Sequence, residues 1–362
     1  MALLNMQSLL SEVIKQNASD LHFTVGLVPA MRIDGELYNM SEIDPLSVKD
    51  VDTLINSIVT PEQRKKLEKN RELDFSFTFK SPGGDSARFR GNCYYQLGNL
   101  GTALRMIPSN VRSTKQLLLP SFLDEIATRR RGLFLVTGPT GHGKSTTLAA
   151  IIQQINLSRG THIITVEDPI EYLFKSEKSI IHQREVGSDT YSFSEALKRA
   201  LRQDPDVIMI GEMRDLETIA AAITAAETGH LVLATLHTAD AAQTVDRIID
   251  VFPPYQQQQI RQQLSNILIA ICSQQLIPLP GEGRIVATEL LVANPAIRNC
   301  IRESKTGQIK SLLQTGSESM MHSMDQDLAR LVKEQKLPFD LVMKYAYDPK
   351  DLQRIVFEAN LV

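Results

Sequence analysis

Apolar positions along this chain follow one pattern before about residue 108 and another after it. Residues 1–16 place Leu3, Met6, Leu10, Val13 and Ile14 on one face, which predicts an amphipathic helix. Residues 20–25 and 30–35 read as two strands with a turn between them. Helices are expected over 48–57 and 61–69, the second with Pro61 in its first turn. From 73 to 80, Leu73, Phe75, Phe77 and Phe79 alternate with polar residues, the signature of a half-buried strand. A glycine- and proline-bearing turn at 81–86 leads into strands at 87–95 and 101–107. Residues 1–107 therefore predict a segregated α+β module.

The pattern loosens over 108–119, which reads as a linker, and changes character over 120–362. Short apolar runs at 133–136, 163–166, 207–210 and 231–234 suit strands buried on both faces of a parallel sheet. Helical stretches at 194–202 and 216–227 separate some of them, so an α/β core is expected. After Val251, Phe252, Pro253 and Pro254 the chain reads as largely helical. There Ile260, Leu264, Ile267, Leu268 and Ile271 form one apolar stripe, interrupted later by a strand at 284–292 and followed by a helix at 325–333.

One motif turns this α/β pattern into chemistry. Gly138, Pro139, Thr140, Gly141, His142, Gly143, Lys144 and Ser145 fit G-x-x-x-x-G-K-[ST], with Thr146 opening the helix that follows. A short buried strand precedes the loop, and Leu148, Ile151, Ile152 and Ile155 follow at helical spacing. Strand, glycine loop and helix N-terminus together make an anion site. Lys144 would meet the β- and γ-phosphates of a nucleoside triphosphate, and the Ser145 hydroxyl would ligate Mg²⁺. The side chain of His142 is expected to face solvent; if protonated it would add acid-dependent attraction for phosphate.

Phosphoryl chemistry also needs carboxylates and a positioned water. Glu167, Asp168, Pro169, Ile170 and Glu171 directly follow the run at 163–166, at the strand end that also carries the loop in a parallel sheet. Read alone, such a cluster is equally a solvated acidic turn. The run at 207–210 ends in Gly211 and Glu212, where a Mg²⁺-associated acid is expected, with contact through water because Glu is longer than Asp. His230 and His237 bracket the run at 231–234. Seven positions apart, they would point to opposite faces of a strand, which argues against a shared metal.

Composition narrows the partners. The chain has 362 residues, 39 Lys and Arg against 42 Asp and Glu, and no Trp. A net charge of −3 gives no sign of a polyanion-binding protein. The run Arg129, Arg130, Arg131 is a short basic signal, too brief to change that. Cys93, Cys272 and Cys300 are widely spaced with no C-x-x-C pair, which predicts buried thiols in a reducing compartment. No secretory signal and no membrane-spanning run is read, so a cytoplasmic protein is expected, with any membrane link through a partner.

Four elements in this order, GPTGHGKST, VEDPIEY, DPDVIMIGEMRD and TGHLVLATLH, resemble the secretion-superfamily ATPases, and within them the type IV pilus retraction ATPases. The resemblance runs from Ala18–His22 to the block from Ala296 to Glu303, where Cys300 stands in place of the family's Leu. It implies a PAS-like N-terminal domain, a RecA-like P-loop domain with helical C-terminal elements, and a homohexameric ring at the inner membrane, held there by a pilus platform protein. It further implies Mg-dependent ATP hydrolysis, with Lys144 and Ser145 holding phosphate and Mg²⁺, Glu212 as the strand-end acid, Glu171 polarising water with Glu167 the alternative, and His230 and His237 sensing nucleotide state. Positive charge supplied across a subunit boundary is assigned to Arg88 and Arg105. Nucleotide-driven domain rotation, hinged at 108–119, is expected to perform the work.

Other functions remain open from sequence. Pilus-assembly and type II secretion ATPases commonly carry a four-cysteine zinc element, which the three scattered cysteines here cannot build. A RecA-like nucleic-acid motor predicts a basic channel or aromatic stacking residues, and the charge balance and lack of Trp speak against it. A non-catalytic nucleotide sensor is opposed by the presence of Lys144, Glu171 and Glu212 together.

Overall fold

In the computed structural model, which describes residues 4–33, 35–81, 86–281, 283–316 and 319–357, the chain divides into two units. One comprises Met1–Asn110 with Glu171–Leu173, the other Val111–Ile170 with Phe174–Val362. Leu3, Asp34 and most of the turn expected at 81–86 lie outside the described residues.

The first unit opens with α1 (Met6–Lys15), started by the Asn5 side chain accepting from the Ser8 N–H at 2.7 Å. Its apolar face buries Met6, Leu9, Leu10 and Val13. Then follow β1 (Asp20–Thr24), β2 (Ala30–Ile33), β3 (Glu36–Asn39), α2 (Val48–Asn56), α3 (Pro61–Asn70), β4 (Glu72–Lys80), β5 (Ser86–Gln96) and β6 (Asn99–Ile107). Reciprocal caps, Ser47 with Asp50 and Thr60 with Gln63, begin α2 and α3. The six strands form an antiparallel sheet in the order β3-β2-β1-β6-β5-β4. Leu21, Phe23, Phe89 and Leu104 on one face share a core with Leu10, Leu54, Ile55 and Leu67 of the helices. β3 escapes the sequence reading because all four of its residues are exposed, which leaves no apolar alternation to detect.

The second unit runs α4 (Phe122–Ile126), β7 (Gly132–Thr137), α5 (Lys144–Ser158), β8 (His162–Glu167), β9 (Ile180–Glu185), α6 (Phe193–Ala200), β10 (Val207–Ile210), α7 (Leu216–Glu227), β11 (Leu231–Leu236), α8 (Ala241–Asp250), α9 (Pro254–Ile267), β12 (Leu268–Pro278) and β13 (Arg284–Val292). Shorter helices α10 (Pro295–Arg302), α11 (Ile309–Thr315), α12 (Met324–Lys333), α13 (Phe339–Val342) and α14 (Pro349–Phe357) complete it. Seven strands line up as β13-β12-β7-β11-β10-β8-β9, parallel except for β13. Alternation along β7 sorts the two faces. Phe134 and Val136 pack with Leu148, Ile151 and Ile155 of α5, whereas Leu133 and Leu135 face Ile219, Ile223, Val245 and Leu264 of α7, α8 and α9. This three-layer arrangement buries every residue of β7, β10 and β11. All three cysteines are buried and free.

One sequence expectation is overturned. Ile260, Leu264, Ile267, Leu268 and Ile271 are not a single helical stripe, because α9 ends at Ile267 and Leu268 starts β12. β12 lies between β7 and β13 with most residues buried, and its first five, residues 268–272, are apolar on both faces. An unbroken apolar run of that kind carries no period to separate strand from helix.

A buried carboxylate ties the far side of the sheet together. Glu289 of β13, 5% exposed, accepts from the Ala241 N–H at the start of α8 at 2.8 Å. Burial pushes its carboxyl from the ordinary 4.5 up to about 7, with the nearby Asp240 adding to the effect and the N–H groups of Ala241 and Met324 opposing it. Below about pH 4.5 the group is protonated folded or unfolded; between 4.5 and 7 the folded state alone keeps the proton, so this group's contribution to stability falls as pH rises through that window. Glu289→Gln should therefore raise stability at about pH 8 by ~1–3 kcal/mol and change it little at about pH 4. Thermal or urea unfolding at the two pH values checks this, and an equal effect at both would refute it.

Candidate nucleotide site

Parallel pairing brings the C-terminal ends of β7, β11, β10 and β8 to one edge of the second sheet, and the loop from Gly138 to Gly143 leaves from the end of β7. At Gly138, φ is +137°, and a Cβ there would lie 2.4 Å from the Gln274 carbonyl oxygen. Only glycine fits so near a neighbouring backbone. Gly143, at φ +82°, is the N-cap of α5 and offers no side chain to its first-turn N–H groups. A 15-residue helix thus presents uncapped donors to an anion held by the loop. That geometry fits a nucleotide's phosphates. Ser145 stands half-buried in the first turn of the same helix, with its hydroxyl suited to Mg²⁺.

Lys144 is 8% exposed, and its ammonium donates to the carbonyls of Gly138 at 2.8 Å and Pro139 at 2.9 Å. Its third neighbour is His237, whose Nδ1 lies 3.5 Å from Nζ and 3.4 Å from the Thr140 hydroxyl. The opposite ring nitrogen, Nε2, lies 3.2 Å from Glu212 Oε2. A carboxylate facing Nε2 favours the proton there, which leaves Nδ1 as an acceptor toward Lys144 and Thr140. One imidazole therefore joins the loop to the strand-end acid. Arg214 holds the other Glu212 oxygen, Oε1, at 2.8 Å.

Backbone bonds set this register. The Gly211 N–H donates to Val166 O at 2.8 Å, and the Met213 N–H donates to Thr235 O at 3.0 Å. A Cβ on Gly211 would lie 3.3 Å from Glu167 Cα, so the ends of β8 and β10 sit close together. Glu167 is the last residue of β8 and is 5% exposed. Its Oε1 accepts from the Thr165 hydroxyl at 2.6 Å and from Gln183 Nε2 at 3.2 Å. Four residues on, beyond the cis Asp168–Pro169 bond, Glu171 is exposed and belongs to the N-terminal unit. The approach to it is pinned by Glu185 of β9, which accepts from the Ile170 N–H at 3.1 Å.

His230 and the run at 129–131 lie at the opposite edge of the same sheet. His230 precedes β11, so the whole strand separates it from His237 and the loop. Its Nδ1 meets Ala225 O at 2.9 Å and its carbonyl accepts from the Gly132 N–H at 3.0 Å, which finishes α7 and starts β7. Residues that bracket a strand occupy its opposite ends, so His230 and His237 lie at the two ends of β11. Arg129, Arg130 and Arg131 are exposed at the edge where His230 lies. In the N-terminal sheet, Arg88 donates to the Ser76 hydroxyl at 2.6 Å, and Arg105 pairs with buried Asp20 at 2.8 Å. No group of three or more His, Cys, Asp or Glu suited to a metal occurs among the described residues.

His142 also departs from expectation. Rather than facing solvent, it is half-buried, and its Nδ1 accepts from the Leu276 N–H at 3.0 Å. Burial, then Lys144 and Arg284, hold its pKa below the ordinary histidine value. The sequence reading passed over Ser273, Gln274 and Leu276 because it assigned their neighbourhood to helices. It also passed over Arg214, although the motif GEMRD contains it.

Comparison with known proteins agrees with this geometry. The family model described as type II/IV secretion system protein matches residues 2–336. A Pseudomonas aeruginosa protein described as "Type IV pilus retractation ATPase PilT" is 48% identical, over 91% of this chain and 94% of its own. A Neisseria gonorrhoeae "Twitching motility protein" is 49% identical, over 84% of this chain and 81% of its own. The crystal structure of the pilus retraction motor PilT with bound ADP superposes with a TM-score of 0.89 at 48% identity, covering 97% of this chain and 99% of that one. No helix among the described residues is long and apolar enough to cross a membrane. A RecA-like sheet, an uncapped phosphate loop and the Lys144–His237–Glu212 connection converge with these matches: the chain belongs to the type II/IV secretion system protein family and is an ATP-hydrolysing member of it.

Proposed function

We propose that the chain is the motor subunit that retracts type IV pili, working as a homohexamer against an inner-membrane platform protein. The observation that carries the ATPase half of this reading is the imidazole of His237, bonded to Glu212 and within reach of Lys144 and Thr140. The names borne by relatives that match it nearly end to end support the retraction half.

In this mechanism the loop of Gly138, Pro139, Thr140, Gly141, His142 and Gly143 wraps the β-phosphate, with backbone N–H groups from every residue but Pro139, and Lys144 moves from its carbonyls to the β- and γ-phosphates. Ser145, and Glu212 through water, would hold Mg²⁺, which when bound neutralises charge on the phosphates. Thr146 continues the first turn behind them. His237 has one face toward the phosphate side through Nδ1 and one toward Glu212 through Nε2, so displacement of Lys144 is felt at the acid. Glu171 polarises the attacking water. Glu167 is suited to a different task, because its bonds to Thr165 and Gln183 fix it within the sheet edge and hold the start of the segment that leads to Glu171. Arg88 and Arg105 supply positive charge across a subunit boundary, and cycles of closure hinged at 108–119 transmit the work.

Three outcomes test this reading. Lys144→Ala should lower steady-state ATP turnover by more than about 100-fold with the fold retained by circular dichroism; wild-type turnover would sink the assignment. Glu171→Gln should lower kcat by about 100-fold while nucleotide affinity stays, and Glu167→Gln should lower kcat by less than about tenfold. The reverse ranking would move the water-polarising role to Glu167. A strain whose chromosomal copy carries Lys144→Ala should accumulate immobile surface pili; bald cells would instead indicate an assembly motor.

A further inference from the structure

β12 outruns β7. Their pairing ends at Ser273 opposite Thr137, where β7 gives way to the phosphate loop, and β12 continues to Pro278 with β13 alone as its strand neighbour. Main-chain groups on the vacated side of β12 need other partners. The loop occupies that side. Leu276 donates its N–H to His142 Nδ1 at 3.0 Å, and the Gln274 carbonyl faces Gly138 at a distance that only glycine permits.

The side chain of Gln274 completes the attachment. It is 1% exposed, donates from Nε2 to the His142 carbonyl at 2.6 Å and accepts at Oε1 from the Thr147 hydroxyl of α5 at 2.9 Å. One buried amide thus grips the loop and the helix it feeds, while the imidazole grips the strand in return. The loop is bonded to β12 at His142 and packs closely against it at Gly138.

We propose that Gln274 and His142 are positioning residues for nucleotide binding: they hold the phosphate loop on the overrun of β12 in the curvature that aims its N–H groups at phosphate, and the imidazole does so only in its neutral form. The reason lies in the ring. Accepting from Leu276 requires a lone pair on Nδ1, so the single proton sits on Nε2. A second proton would set an N–H against the Leu276 N–H and break the attachment. The charged groups facing the ring are Lys144 from α5 and Arg284 from β13, both cationic, and with burial they oppose protonation. Acid should therefore weaken nucleotide binding through this residue, the opposite sign to a histidine that attracts phosphate by its charge.

The inference rests on the nucleotide reading of the loop, and binding of fluorescently labelled ADP to the full chain separates the two. His142→Leu keeps bulk but loses the acceptor, and its dissociation constant should rise about tenfold at about pH 8, with KM for ATP rising in step and kcat changing less than about twofold. His142→Asn restores an acceptor near the position of Nδ1 and should recover most of that loss. Gln274→Met should behave like His142→Leu. Between about pH 8 and about pH 5.5, wild-type affinity should fall more steeply than that of His142→Asn, a comparison that cancels titration of the nucleotide itself. Leu and Asn variants that bind alike, or matching pH profiles for wild type and His142→Asn, would overturn the proposal. Failure of the wild type to bind labelled ADP would instead overturn the nucleotide reading.

Discussion

The contact between Gly138 and the Gln274 carbonyl sets the limits within which the rest of the catalytic unit is built. Two backbones meet there with no room for a side chain, at the point where β7 ends and β12 runs on. Because β7 is held in register with β11 on its other side, from Gly132 opposite Leu231 to Thr137 opposite Leu236, the same contact fixes where the loop starts relative to His237. β11 fixes β10, and β10 fixes β8, each through parallel pairs. A displacement at Gly138 would thus propagate to Glu212 and Glu167 through backbone bonds, with no side chain as intermediary.

This dependence explains why the site combines rigid and adjustable parts. Glu167 and Gln274 are buried and each bonded to two partners, whereas Lys144 and His237 are held by contacts near the outer limit of hydrogen-bond length or by carbonyls that a phosphate can replace. The first group sets geometry. The second group can exchange partners at little cost.

Much of this was legible in the sequence, for identifiable reasons. Strands β7, β8, β10 and β11 are short apolar runs bounded by polar residues and glycines, and the phosphate loop has a fixed spacing that few other structures share. Glu212 was readable because an acid at the end of a buried strand is rare. The failures also have physical causes. β12 reads as helix because its first five residues, 268–272, are apolar without a period, and that reading hides Gln274 and the Leu276 N–H. β9 and β3 carry too little buried apolar surface to signal a strand. The role of His142 depends on a partner 134 positions away, and no local pattern encodes that.

β9 has a consequence for assembly. It forms the outer margin of the seven-stranded sheet, and its residues are mostly exposed or half-buried, with His182 held against His162 at 2.9 Å and the chain folding back at Val186 and Thr190. A margin of this polarity makes a poor template for another strand. This margin of the sheet therefore ends within the chain itself, which disfavours irreversible edge-to-edge fusion of copies there.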